Sequence, residues 1–230
     1  MRHDMASLDA MTFTPYNGNL LRSNLTVDGQ PVVLNQTRWG ACEATRRTDP
    51  APGAVGARVL AATRLPFEQR AVIQRWTIEP AAEGGNGGNS RAGGEHVLRL
   101  ELDGPIFEHC TGCGWGVSLP TNRSLFDFAI SNWQGDKVMT VTSQTTEAAV
   151  ATMVWSPGAA PARVRLGPDS TFVVDASFSV SSATAQHTLV MVFAVAATAE
   201  DASAEVTRLK AELDNEWEQV RARQCQLSAR

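Results

Sequence analysis

From about residue 25 onward, apolar and polar positions alternate with a period of two, the mark of strands with one buried face. Leu25 and Val27 lead into Asp28-Gly29, and Val32 to Leu34 follow. Asp-Gly between apolar runs predicts a hairpin closed by a type I′ turn, whose two central residues both need positive φ. Residues 58–65 and 70–79 are the next predicted strands, with Val72, Trp76 and Ile78 on one face of the second. Residues 96–103 alternate cleanly: Leu98, Leu100 and Leu102 point inward, Arg99, Glu101 and Asp103 outward. Shorter strands are predicted over 125–130, 138–143 and 148–155. Over 171–180, Phe172, Val174, Ala176, Phe178 and Val180 share one face, and Thr171, Asp175, Ser177 and Ser179 the other. Residues 187–197 are apolar on both faces, which predicts a central strand covered from both sides.

At Thr198 the period changes. Thr198-Ala199-Glu200-Asp201 has the form of a capping box with Asp in place of Glu. Val206, Leu209, Leu213, Trp217 and Val220 then recur at steps of three and four, a helical stripe over about 200–224. Glu200, Asp201 and Glu205 sit near its start and Arg221 and Arg223 near its end, which suits the helix macrodipole. The expected fold is therefore mainly β, an antiparallel two-sheet β-sandwich of about ten or eleven strands followed by a C-terminal helix. The expected organisation is a loose tail over 1–13, a sandwich domain over 14–197, and a helix over 198–230 that links to a domain this chain lacks.

Composition narrows the function classes. The chain has 230 residues, 43% hydrophobic and 19% charged, enough for one sizeable core. Its formal charge of −4 argues against the broad cationic surface of a duplex-binding protein, so no nucleic-acid partner is expected. The longest apolar run, 189–197, is about half of a membrane-spanning helix, so no membrane partner is expected either. No apolar stretch follows Met1-Arg2-His3-Asp4-Met5, so a cytoplasmic location is the default, with an extracellular one left open.

Few residues carry recognisable chemistry. The Gly-rich stretch 82–95 reads as a flexible hairpin loop; no Gly-Lys-Ser/Thr follows it, as a phosphate loop would need. Cys110-Thr111-Gly112-Cys113 supplies too few ligands for a structural zinc, which needs four, and reads as ordinary loop cysteines, with a disulfide or a metal or redox pair as the alternatives. The histidines at 3, 96, 109 and 187 share no helical or strand spacing, so no metal site is expected. No Gly-x-Ser-x-Gly occurs, and Glu43, Glu68, Glu79, Glu108 and Asp127 form no pair that sequence can recognise. No catalytic residue and no cofactor are therefore assigned. Sugar binding needs an aromatic face for C–H groups and planar polar groups for hydroxyls. The stretch 35–47 is dense in polar and planar groups, where Trp39 with Arg38, Glu43 and Arg46 offers those types, and Trp115 and Asn122 with Arg123 and Trp133 form a second group. The competing reading is that the tryptophans are core. The candidate substrate-binding residues are Arg38, Trp39, Glu43, Trp115 and Asn122.

The layout resembles the N-terminal β-supersandwich domain of glycoside hydrolases and phosphorylases that carry a six-hairpin helical toroid. The carriers are Leu25-Thr26-Val27-Asp28-Gly29-Gln30-Pro31-Val32, Arg38-Trp39-Gly40, the strand 69–79, and Leu213-Asp214-Asn215-Glu216-Trp217. The resemblance spans about 14–227. It implies a non-catalytic module that packs on a helical catalytic domain in the same or a longer chain, shapes its substrate mouth, and has carbohydrate as a partner. The catalytic carboxylates of such enzymes lie in the toroid, so none is carried over; Arg38, Trp39 and Glu43 would stand beside the mouth. The alternatives are a free-standing lectin-like sandwich and a small sugar-epimerase-like β enzyme.

Overall fold

A computed structural model describes residues 10–13, 16–19, 22–34, 36–39, 43–48, 57–64, 70–80, 95–103, 106–109, 122–159, 161–179 and 186–228. In chain order the strands are β1 (Ala10–Phe13), β2 (Tyr16–Asn19), β3 (Arg22–Val27), β4 (Gln30–Pro31), β5 (Gln36–Trp39), β6 (Ala44–Arg47), β7 (Ala57–Arg64) and β8 (Ala71–Pro80). They continue as β9 (Glu95–Asp103), β10 (Ile106–His109), β11 (Phe126–Trp133), β12 (Asp136–Ser143), β13 (Ala149–Trp155), β14 (Arg163–Leu166), β15 (Thr171–Ser179) and β16 (His187–Ala196), and one helix, α1 (Ala199–Ser228), closes the chain.

The fold is a mainly β, antiparallel sandwich. Its large sheet has the order β11-β12-β13-β16-β8-β7-β6-β5 and its smaller sheet β14-β15-β9-β3-β4. A third, short sheet, β1-β2-β10, is additional to the two expected, and β1 lies inside the stretch read as a tail. The long strands fall where the alternation puts them. The extra strands β1, β2, β5, β6, β10 and β14 are each four residues long, too short to establish a period by themselves.

The main core lies between the two sheets. Trp76, Ile78, Met139, Leu189, Met191 and Phe193 come from the large sheet; Leu25, Leu98, Leu100, Leu102, Phe172 and Val174 come from the small one. Phe172, Val174 and Ala176 point inward as expected, while Asp175 is half-buried and Ser177 exposed. The side chains of Phe178, Ser179 and Val180 lie outside the described residues. On the outward face of the small sheet, Arg99 Nε donates to Asp175 Oδ1 across the strand pair at 2.7 Å. That contact holds the Arg99 guanidinium above its ordinary pKa.

Two hairpins show the local chemistry directly. Asp28 has φ 52° and Gly29 φ 77°, the pair of positive values that a type I′ turn needs. Asp28 also extends the β3–β9 ladder: its N–H donates to the Val97 carbonyl, and its carboxylate accepts from the Val97 N–H, both at 2.9 Å. Gln134 (φ 51°) and Gly135 (φ 93°) make the same turn between β11 and β12.

β16 is covered on both sides, as its sequence requires. Leu189, Met191, Phe193 and Val195 enter the main core. Val190, Val192 and Ala194 enter a second one, formed with Ala71, Ile73, Val138, Ala151, Met153 and Trp155 against Ala202, Val206, Leu209 and Leu213 of α1. The helix thus lies on the outer face of the large sheet's β12–β13–β16 half. Its start is fixed at Thr198, whose hydroxyl oxygen accepts from the Asp201 N–H at 3.1 Å. The return contact differs from a capping box: the Thr198 hydroxyl donates to the Asp201 carboxylate at 2.8 Å, a reach short enough for Asp where Glu would bend back to the backbone. Lys210 reaches Asp136 at 3.2 Å and ties the helix to the start of β12. The side chains of Trp217 and Val220 lie outside the described residues.

Candidate functional site

The large sheet's outer face is divided. The cover of α1 reaches the first residues of β8, where Ala71 and Ile73 are buried, and over the rest of β8 and over β7, β6 and β5 no described element lies. Strand alternation decides which side chains this half presents. Val59 and Ala61 of β7 and Val72 and Trp76 of β8 face the core, so Leu60, Ala62, Arg64, Arg75 and Thr77 face outward.

The pairing register then sets these groups in rows. One row runs Arg38–Thr45–Ala62–Arg75 and ends at Val190 on β16. The next runs Gln36–Arg47–Leu60–Thr77. Together they line a cavity of about 460 Å³, with Glu43 and Arg64 at one end. Arg64 is only 4% exposed and its guanidinium forms a fork on one carboxylate oxygen: Nε donates to Glu43 Oε2 at 2.5 Å, and Nη2 joins the same oxygen. At the sheet edge Arg47 Nε donates to Gln36 Oε1. Among the described residues five arginines, Arg38, Arg46, Arg47, Arg64 and Arg75, line the cavity with one carboxylate, so a chain with an overall charge of −4 carries a locally cationic surface here.

The five candidates from sequence do not form one site. Arg38 and Glu43 both line the cavity. Trp39 belongs to β5 by its backbone, and its side chain lies outside the described residues, as does all of Trp115. Asn122 stands at the opposite edge of the large sheet, seven strand spacings or roughly 34 Å away. There it caps a short 3₁₀ turn, its Oδ1 accepting from the Ser124 N–H at 3.1 Å and the Ser124 hydroxyl at 2.7 Å. Neighbouring Arg123 donates to the Ser170 carbonyl at 2.9 Å and covers the Phe128 ring at 4.6 Å. The register, which sequence does not reveal, is what separates the two groups.

The carboxylates are equally dispersed. Glu79 accepts from Gln186 at 2.9 Å and Asp127 from Gln144 at 2.8 Å. Glu43 is level with Arg64, which pairs with Ile73; Glu79 stands six residues further along β8, about 20 Å away. An inverting carboxylate pair needs roughly 6.5–9.5 Å. Glu43 is the one carboxylate among the described residues lining the cavity. The side chains of Glu68 and Glu108, and all of Cys110 and Cys113, lie outside the described residues. Among the described residues no group of three His, Cys, Asp or Glu could hold a metal, and no helix is long and apolar enough to cross a membrane. Thr45, Arg46 and Arg47 also line the cavity and lie in the polar stretch 35–47 that the sequence singles out, whereas Arg64, Arg75 and Thr77 were missed by sequence reasoning. The signal for two of them was present: Arg75 and Thr77 occupy the outward phase of β8, whose shared face of Val72, Trp76 and Ile78 was read from the sequence, whereas no phase was assigned to β7, which carries Arg64.

No family model matches the sequence, and no curated protein matches it. Solved structures share the fold. A protein from the human microbiome with a provisional assignment as kojibiose phosphorylase superposes with a TM-score of 0.60 at 10% identity, covering 93% of this chain and 28% of that one. A bacterial glucoamylase complexed with acarbose aligns over 92% of this chain and 33% of its own, at 11% identity and a TM-score of 0.48. The chain therefore spans about a third or less of the solved chains it matches, and at such identities the likeness is one of fold.

Proposed function

We propose that this chain is a non-catalytic β-sandwich module of a carbohydrate-active enzyme, held against a helical catalytic domain in the same or a longer polypeptide. The observation that carries this reading is the fold likeness to the microbiome protein, which takes in nearly the whole of this chain but little more than a quarter of the other. In this reading 14–197 is the module and the helix from 198 leads toward the catalytic domain. Arg38, Trp39 and Glu43 would shape a carbohydrate path from the β5–β6 edge, with Trp115 and Asn122 a separate contact group. Among the described residues one carboxylate, Glu43, lines the cavity, and it is paired with Arg64, which suits a binding or shaping role. A free-standing sugar-binding sandwich is the second reading, favoured by a cavity within the usual size range of ligand pockets.

The test is a panel of aryl glycosides with the purified 230-residue chain, its Glu43→Gln and Glu108→Gln variants, and thermal melts of each. No turnover is expected. Turnover abolished by either substitution in a variant that still melts cooperatively would make the chain itself the enzyme and end the accessory reading. Absent turnover, neutral-sugar binding lost in Trp39→Ala would favour the free-standing sandwich.

A further inference from the structure

We infer that the cavity on the outer face of β5–β8 is a binding site for an acidic sugar, one that bears a carboxylate or a phosphate. The proposal rests on the accessory-module reading for the sugar and on the register for the acid.

The row Arg38–Thr45–Ala62–Arg75 sets two small residues between two arginines. The four Cα positions span three strand spacings, about 14 Å. Long guanidinium arms at the ends and short side chains between them leave a trough floored by Thr45 and Ala62. An anionic group resting there lies beside Arg38 at one end and, at the other, beside Arg75, which lines the same cavity while its Nη2 stands 3.5 Å from the Thr188 hydroxyl of β16. Planar guanidinium forks pair with carboxylate and phosphate through two parallel N–H···O bonds, a match that a neutral hydroxyl cannot make.

The adjacent row supplies what the rest of a sugar needs. Arg47 and Thr77 flank Leu60, which is 36% exposed and offers an apolar surface to ring C–H groups. The threonine hydroxyls of both rows can donate to and accept from sugar hydroxyls. Glu43, the one carboxylate among the described lining residues, stands in the row next to the trough and is already engaged there by buried Arg64. Low-dielectric sheet beneath the trough strengthens an ion pair made there over one made in open water.

The experiment is calorimetric titration of the 230-residue chain with digalacturonate and with glucose 6-phosphate, against maltose, inorganic phosphate and a hexaglutamate peptide. Variants are Arg38→Gln and Arg75→Gln, with Arg163→Gln on the outer face of the small sheet as control, and all are checked for an unchanged melt. Arg38 lies exposed on an edge strand, so its variant keeps the test open if Arg75→Gln fails to fold. At least one acidic sugar is expected to bind saturably, more weakly as salt rises, and to lose about tenfold in affinity with either trough arginine while the control is unchanged. Which of the two binds tells carboxylate from phosphate. The inference is overturned if neither acidic sugar saturates at millimolar concentration, if maltose binds as well, or if the trough arginines make no difference. It is overturned as well if inorganic phosphate equals the sugar phosphate, or if hexaglutamate competes equally, which would mark the face as a seat for an acidic protein surface. Loss of acidic-sugar binding with no glycoside turnover leaves the accessory reading standing; turnover removes that reading without touching the arginine trough.

Discussion

His187 shows how a single residue acquires a property from its place. It opens β16 opposite Ile78, and its Nε2 lies 3.3 Å from the Ser156 hydroxyl. Burial lowers its pKa below the ordinary histidine value, because the charged ring would be taken out of water. The unfolded chain therefore binds the proton first as pH falls below about 6.5. The stability contributed by a neutral His187 is present above that pH and is lost as pH falls through the folded value. His187→Gln removes the titration, so the wild type should lose stability relative to the variant on acidification. Urea midpoints of both, taken from about pH 8 to about pH 5, measure this, and a constant difference across that range would refute it. The sequence puts this histidine at the start of the predicted strand 187–197. It does not reveal the partner, which comes from a residue 31 positions earlier.

At the scale of elements, the turns and the helix start were legible because their chemistry is local. Asp28-Gly29 was read from two residues, and both have the required positive φ. The Gln134-Gly135 turn is the same object with a weaker signal, since Gln is not a usual turn residue at positive φ. There the glycine carries the turn: at φ 93° any Cβ is strained, although nothing stands within 4 Å to clash with it. Gly135→Ala should therefore cost about 1–2 kcal/mol through backbone strain alone. Chemical denaturation measures it; a loss below about 0.5 kcal/mol would mean that the turn relaxes at little cost. The short strands β5 and β6 were not legible. Four residues with polar groups on both phases look like a loop until a neighbouring strand claims them.

At the scale of the whole molecule, the question is what α1 does. Ala202, Val206, Leu209 and Leu213 follow the apolar stripe and are buried on the sheet, so this part of the helix is integral to the sandwich. Leu209→Ala should then cost about 2–5 kcal/mol, as for other buried leucines. Ala204→Lys, on the exposed side of the same helix, should stay within about 0.5 kcal/mol. Equal, small effects at both positions in urea titrations would mean that the helix is an independent linker that the sheet does not need. β16 has the complementary role. It sits between β8 and β13 and so joins the strands of the chain's first half to those of its second. Its double-sided apolar pattern announced central burial, but the identity of its neighbours is a long-range pairing.

What the sequence by itself determined is everything governed by short range: the two-residue period of the long strands, the inward faces of β9, β15 and β8, the Asp-Gly turn, and the helix with its threonine cap. These follow from steric and hydrogen-bonding preferences within a few residues, which any chain context must respect. What only the tertiary structure decided is which strands lie side by side, and with them the site. Arg38 reaches the same face as Arg75 because β5, β6, β7 and β8 pair in a definite register, whereas Asn122 is carried to the far edge. Register depends on burying one whole face of each strand at once. That is a collective condition on segments dozens of residues apart, and no local window of the sequence contains it.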